Sequence, residues 1–496
     1  TGATVATGAG QTANFSTINI TGNRTVTLDT SRSIGTLRFN DTVSSYFNWT
    51  LTNSGTSKLT LDTGSATSPT IAVTNTATIG APLAGTNGFT KSGPGTLILR
   101  GDNPLSGTVN IDTSSATIND GIVRIVGPDA LANASLIQIR NNNSGTSTLQ
   151  LDGSAGDITI NALISATCRN STAITFQNLA GTNIINGNIL LNVGGNSHNT
   201  QCDAGMIVFT GTNQYVGSLT GIRTNYFTGP GNHLQIGPIL NSTNGAPISV
   251  AKSGTGTLTL EAVNTYTNST TLAGGKLVVN GTLPAGGLFI SSGTTLGGSG
   301  NINSPVTLPS GATIAPGASV GKLTVNANTI LQPGSVVRME LDKAAGTNDQ
   351  LRVVGLLQYG GTLIVTNLGG QLWPGDSFQL FNASSYSSSF SATNLPTLPP
   401  GMNWQWSPAT GTLSITASVA LNPTNIVANL TANGLELSWP ETHTGWRLLT
   451  QTNNLATGIS SDPNDWGDVV GTTATNAITV PVAPDAAAGF YRLVYP

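Results

Sequence analysis

Charge is scarce in this sequence. Asp, Glu, Lys and Arg make up 8% of 496 residues, against about a quarter in an average soluble chain. The eighteen Lys and Arg are scattered without a run, so no basic face for nucleic acid is expected. Carboxylates are as sparse, whereas cleavage of a polysaccharide needs two or three of them together. No apolar stretch approaches the ~18 residues of a membrane helix, and no segment sustains helical periodicity. Low charge here does not mean disorder, because hydrophobic residues reach 38% and the net charge is only −3. What fills the chain is Gly, Thr, Ser and Asn among short Val, Ile and Leu alternations, the composition of an all-β protein.

The sequence repeats itself. Residues 91–97 read Lys-Ser-Gly-Pro-Gly-Thr-Leu and residues 252–258 read Lys-Ser-Gly-Thr-Gly-Thr-Leu. Leu97-Ile98-Leu99 is answered by Leu258-Thr259-Leu260, Asn103 by Asn264, and 121–126 by 275–279. Each copy holds three short strands introduced by Gly, Asn or Ser, and roughly 25 residues that make three strands and restart describe one coil of a solenoid. Gly and Asn at the corners supply positive φ or a side chain that bonds its own backbone. Between corners, Leu97, Leu99, Leu258, Leu260, Leu277 and Val279 are expected inside, stacked on counterparts about 4.8 Å away.

The expected organisation has three parts. Residues 1–88 are strand-rich and begin the solenoid. Residues 89–420 form a β-helix with a C-terminal cap. Residues 421–496 form a small β-sandwich of five strand candidates around Ile426, 435–439, 446–450, 478–482 and 490–495. The fold class is therefore all-β, a right-handed parallel β-helix followed by a small C-terminal β-sandwich.

The segments 89–126 and 248–280 resemble the autotransporter-associated β-strand repeat, also called the passenger-associated transport repeat. Its pattern is Lys-x-Gly-x-Gly-Thr-Leu, then Leu-x-Leu, then Asn-x-Tyr, then Gly-x-Leu-x-Val. Asn264-Thr265-Tyr266 keeps the middle element, and Asn103-Pro104-Leu105 keeps it in part. Asp349-Gln350-Leu351-Arg352-Val353 and Gly375-Asp376-Ser377-Phe378 resemble the end of such passengers. The resemblance implies a right-handed parallel β-helix, exported and surface-associated, and carries no catalytic set. Autotransporters end in a translocator barrel. Residues 435–440, 445–448 and 490–494 instead look like the terminal module of secreted repeat proteins of the Planctomycetes–Verrucomicrobia group, which implies export by a general route. The start at Thr1 without Met reads as a processed chain.

Candidate chemistry is thin. Cys168 and Cys202 are expected to form a disulfide in an exported chain, with two buried thiols as the alternative. The grouping Glu340/Asp342/Asp349 reads as turn and cap residues, with a cation held at one coil edge as the alternative, and Asp462/Asp465/Asp468 reads as solvated loop carboxylates. His198, His233 and His443 lack metal spacing and read as surface or turn residues. No catalytic residue, cofactor or metal is expected. Thirteen Asn-x-Ser/Thr sequons, among them Asn14, Asn48, Asn170 and Asn268, are about what chance gives in this composition. Tyr46, Phe47 and Trp49, and Trp404 with Trp406, read as packing at the solenoid ends, with a sugar-binding strip as the alternative.

The expected function is structural. A solenoid exposes backbone edges at its ends, and few charges guard them here. Thr4, Val5, Ala6 and Thr7 form the strand expected to pair with the next copy, within a junction of the first ~20 residues and the 425–496 domain. The expected partners are copies of the chain itself, with extracellular glycans as the alternative for a single adhesive rod and a carbohydrate-active enzyme as the third reading. The expected location is extracellular or on a bacterial surface.

Overall fold

The computed structural model describes residues 5–15, 20–39, 47–111, 121–141, 146–169, 173–192, 197–399, 401–417, 419–454, 456–482 and 488–495. The chain divides into two compact units. One comprises Thr1–Arg338, Gln350–Thr362 and Ala383–Ala392; the other comprises Met339–Asp349, Leu363–Asn382 and Thr393–Pro496.

The first unit is a parallel β-solenoid, and the chain as a whole makes about 14 turns. Each coil has three sides. One side is a nine-stranded sheet running from Thr12–Asn14 to Asn213–Val216. It continues through isolated pairings at Ile239 and Val263 to Thr282–Leu283 and Asn301–Ile302. The second side is a twelve-stranded sheet from Arg24–Leu28 to Leu288–Ile290. The third begins as Arg32–Ile34, Leu59–Leu61 and Leu83–Ala84, and is taken up from Thr159–Ile160 onward by another long sheet. The solenoid therefore starts well before the first repeat. Coil length varies along the chain, as the register partners Ala77 and Leu97, Val123 and Leu149, Leu272 and Ile290, and Val325 and Val353 show.

The inward positions are those the alternation named. Leu97, Leu99, Leu258, Leu260, Leu277 and Val279 are all fully buried. Leu97 pairs with Ala77 in the coil before it and Val123 in the coil after it, both parallel. Leu258 pairs with His233 and Leu277 in the same way. Each coil thus satisfies the backbone of its neighbours while its aliphatics fill the bore.

The corner motif has a physical explanation. Gly93 (φ +81°) and Gly254 (φ +73°) turn the chain where a Cβ would lie 2.6 Å from the carbonyl oxygen of Val73 and 2.5 Å from that of Gly229. No side chain fits between stacked corners that close. The lysine before each glycine is buried, not solvated. Lys91 Nζ donates to the Gly93 carbonyl. Lys252 Nζ donates to the carbonyls of Ser253 at 2.6 Å, Gly254 at 3.0 Å and Gly274 at 3.4 Å. Burial lowers the Lys252 pKa to about 8. The motif's asparagine bridges coils. Asn103 Oδ1 accepts from Leu83 N and its Nδ2 donates to the Ala130 carbonyl. Asn264 Oδ1 accepts from Ile239 N, and its Nδ2 donates to the carbonyls of Ala262 and Thr282.

The two motif copies stand on different sides of the coil. Lys91 lies in the nine-stranded sheet and its corner leads to Thr96–Arg100 in the twelve-stranded sheet. Lys252 lies in that same twelve-stranded sheet, and its corner leads to Thr257–Leu260 in the third side. The second copy is thus rotated by one side, and the same corner serves two different edges of the coil.

The second unit is antiparallel. Met402–Ser407, Thr412–Ala417 and Ser377–Gln379 form one three-stranded sheet. The C-terminal part is the expected sandwich. One sheet is Val427–Thr431, Gly434–Ser438 and Ala477–Val480; the other is Gly467–Asp468, Arg447–Thr452 and Gly489–Val494. Leu437, Trp439, Leu448 and Val480 form the core between them, with Tyr491 and Leu493 packed against it. The segment leading into this domain is tethered to it. His443 Nε2 lies 2.8 Å from the Asn422 carbonyl, and Ala420 N donates to the Thr442 carbonyl.

Asn264→Leu tests the coil-bridging role, because it keeps the volume and leaves buried backbone groups unpaired. It should cost about 1–3 kcal/mol, read from urea denaturation. Thr259→Ala, on the outward row of the adjacent strand, should change stability by less than about 0.5 kcal/mol.

Candidate functional site: uncovered strand edges

Among the described residues, no strand pairs with the first coil on its leading side. Thr12–Asn14, Arg24–Leu28 and Arg32–Ile34 are each the last strand of their sheets. A cavity of about 580 Å³ lies among them, walled by Val26, Leu28, Ile34, Leu37, Leu51 and Leu59. Phe15 closes part of it, stacked on Phe39 with ring centroids 5.2 Å apart and tilted against Trp49 at 5.1 Å. Trp49 is thus a packing residue, while Phe47 is exposed; Tyr46 lies outside the described residues. On the rim, Arg32 pairs with Asp29 at 2.6 Å, and this hydrogen bond holds the Asp29 carboxyl below its usual range.

The expected pairing strand is at this end, with a difference. Thr4 lies outside the described residues. Val5, Ala6 and Thr7 lie in no strand, although Val5 and Ala6 line the cavity and Val5 is 61% exposed. A lone extended segment does not make a strand without a partner edge. The chain becomes tied to the solenoid at Gly8, whose N–H donates to the Ser33 carbonyl at 2.7 Å.

Two strands of the C-terminal sandwich end their sheets among the described residues. Val427–Thr431 ends one sheet, and its Leu430 is 74% exposed. Gly489–Val494 ends the other, beside a groove of about 420 Å³.

The chemically suggestive residues are occupied structurally. Asp349 Oδ2 accepts from Glu340 N at 2.8 Å, and Asp342 Oδ1 from Ala345 N at 3.0 Å. Asp462 caps Asn464 N, Asp465 accepts from Ser460 Oγ, and Asp468 pairs with Arg447 at 3.0 Å. Trp404 donates through Nε1 to the Pro396 carbonyl and packs near Phe378, and Trp406 packs edge-on to Phe381. No group of three or more His, Cys, Asp and Glu converges among the described residues. No helix among them is long and apolar enough to cross a membrane.

Two expectations are corrected. Cys168 and Cys202 are not joined; both are buried thiols. Cys168 lies in the nine-stranded sheet beside Asn141, and Cys202 lies in the twelve-stranded sheet beside Asn178. Their spacing carries the chain past a full coil onto another side. Cys168 Sγ lies 2.9 Å from Thr175 Oγ1 and 3.1 Å from His198 Nδ1, while Cys202 Sγ receives the Asn178 amide and is pushed up in pKa by burial. His198 and His233 are neither surface nor turn residues, for they lie in strands and point into the bore, whereas His443 does lie in a turn, buried in a 3₁₀ segment.

This stretch of bore is polar in a way that alternation does not reveal. His198 packs edge-on to Tyr215 and stacks in register on Asn225, and His233 packs edge-on to Phe227. His198 Nε2, both ring nitrogens of His233, both amide atoms of Asn225 and Gln235 Oε1 have no hydrogen-bond partner among the described residues. Burial pushes both histidines down to about 3, with the Lys252 charge adding to the effect at His233.

Two segments of the chain, residues 89–125 and 250–279, match the Passenger-associated-transport-repeat family. The chain therefore carries two of these autotransporter-associated repeats, which fit a secreted or surface passenger built as a β-solenoid. No curated protein matches the chain.

Both histidines are neutral when folded and charge freely when unfolded. Below pH 6.5 the unfolded state binds more protons, so stability falls as pH drops toward 3. At pH 5 each should cost about 2 kcal/mol relative to pH 7.5. His198→Leu should reduce that pH slope, measured as urea midpoints across pH 5–7.5. The cysteines give a second check: a thiol reagent should leave the native chain unlabelled, and after unfolding without reductant mass measurement should show both thiols labelled.

Proposed function

We propose that this chain is an extracellular structural subunit whose copies join head to tail into a fibre on a bacterial surface. The observation that most supports this is the leading side of the first coil. Its three leading strands each end a sheet, around an apolar cavity of about 580 Å³. Backbone groups and aliphatic surface of this kind favour being covered. The edges of the C-terminal sandwich are available to another copy as well. A contact between two different surfaces of identical subunits does not close on itself, so it propagates into a filament. A structural role also accords with carboxylates and histidines that are spent on turns, caps and the bore.

Electron microscopy of purified protein should show filaments. Deleting residues 1–7 stops short of Gly8 and Phe15, which belong to the packed first coil. That truncation should leave thermal unfolding within a few degrees of the full chain and abolish the filaments. Isolated particles from the full chain at high concentration would refute the fibre reading.

A further inference from the structure

The sandwich holds a slot suited to the leading segment of another copy. Gly489–Val494 pairs along one side with Arg447–Thr452 and ends its sheet on the other. Beside it lies a groove of about 420 Å³ whose walls include Asn425, Ile426, Trp446, Tyr491 and Leu493. Tyr491 and Leu493 are two apart and both face the sandwich core. A strand added at this edge would present every second side chain to that groove. The one charged residue of the strand, Arg492, also lines the groove, and its guanidinium carbon is held 4.1 Å from the centroid of the Trp466 ring.

The occupant must be uncharged, narrow and short of backbone partners. The first ten residues, Thr-Gly-Ala-Thr-Val-Ala-Thr-Gly-Ala-Gly, carry no charge and nothing larger than Val or Thr. Val5–Thr7 lies in no strand, and Val5 is exposed. We propose that residues 5–7 of one copy add as a strand to the outer edge of Gly489–Val494 of the next, with the Val5 side chain in the groove between Ile426, Trp446 and Tyr491. Added backbone hydrogen bonds supply the attraction, and the groove selects the small apolar side chain. This rests on the head-to-tail reading and gives that junction its receiving surface.

Disulfide trapping tests the slot. Val5→Cys protein is mixed with Tyr491→Cys protein under mild oxidation. The expected product is a covalent dimer that needs both variants, mapped by mass spectrometry to a 5–491 cross-link. Tyr491→Cys could loosen the sandwich, so Val5→Arg is the second variant. It changes an exposed residue and should abolish filaments with no loss of thermal stability. Wild-type filaments with no 5–491 product, and with Val5→Arg filaments intact, would overturn the slot and leave the fibre reading standing. Absence of wild-type filaments would overturn both. A 5–491 bond formed within single chains of the double variant would place the segment in its own copy's groove and overturn the intermolecular pairing.

Discussion

The structure depends on one constraint: a coil of parallel strands cannot satisfy its own backbone. Each N–H and C=O that points along the axis needs the coil before or after it. The register partners of Leu97 and Leu258, one coil to either side, are the direct expression of this. The corners obey it as well, with side chains standing in where the backbone cannot pair. Asn103 and Asn264 reach to neighbouring coils, and Lys91 and Lys252 cap corner carbonyls from inside. A chain held together this way has little need of surface ion pairs, which are worth little singly, and so it tolerates very few charges.

The same constraint explains why the corner motif can move. Gly93 and Gly254 are required by contact with the corner one coil earlier, not by the side of the coil on which they stand. A three-sided coil offers equivalent edges, and a change in coil length between the copies carries the motif from one edge to the next. The repeat therefore encodes a way of turning with a buried lysine and a bridging asparagine. It does not encode a face, and a fixed functional surface cannot be inferred from the motif alone.

What the sequence disclosed follows from this distinction. Period-2 alternation identified Leu97, Leu99, Leu258, Leu260, Leu277 and Val279 as interior, because aliphatic burial is a local, strongly patterned signal. The lysine and asparagine of the motif were visible as residues, but their roles were not, since both are satisfied by coils remote in sequence. His198, His233 and Asn225 occupy inward positions with polar side chains, which alternation assigns to the outside. The cysteine pairing failed for a related reason. Separation along the chain fixes distance only when coil length is known, and coils here vary. Val5–Thr7 has strand-forming residues, yet strand formation needs an edge as well as propensity.

A solenoid satisfied from within concentrates its unmet interactions at two kinds of place. One is the polar stretch of bore around His198, Asn225 and His233, where donors and acceptors are buried without partners and burial holds both imidazoles neutral. That stretch makes the stability of the middle coils depend on pH. The other is the set of terminal strand edges, where backbone groups and aliphatic surface meet solvent together. Edges of this kind are usually blunted by lysines, prolines or bulges. On the leading coil the charges at hand are few, and Arg32 is engaged with Asp29. On the sandwich, Arg492 lines the groove with its guanidinium over the Trp466 ring. Scarcity of charge, the feature that sets this sequence apart, thus shows in the structure as terminal strands with few charged side chains beside them.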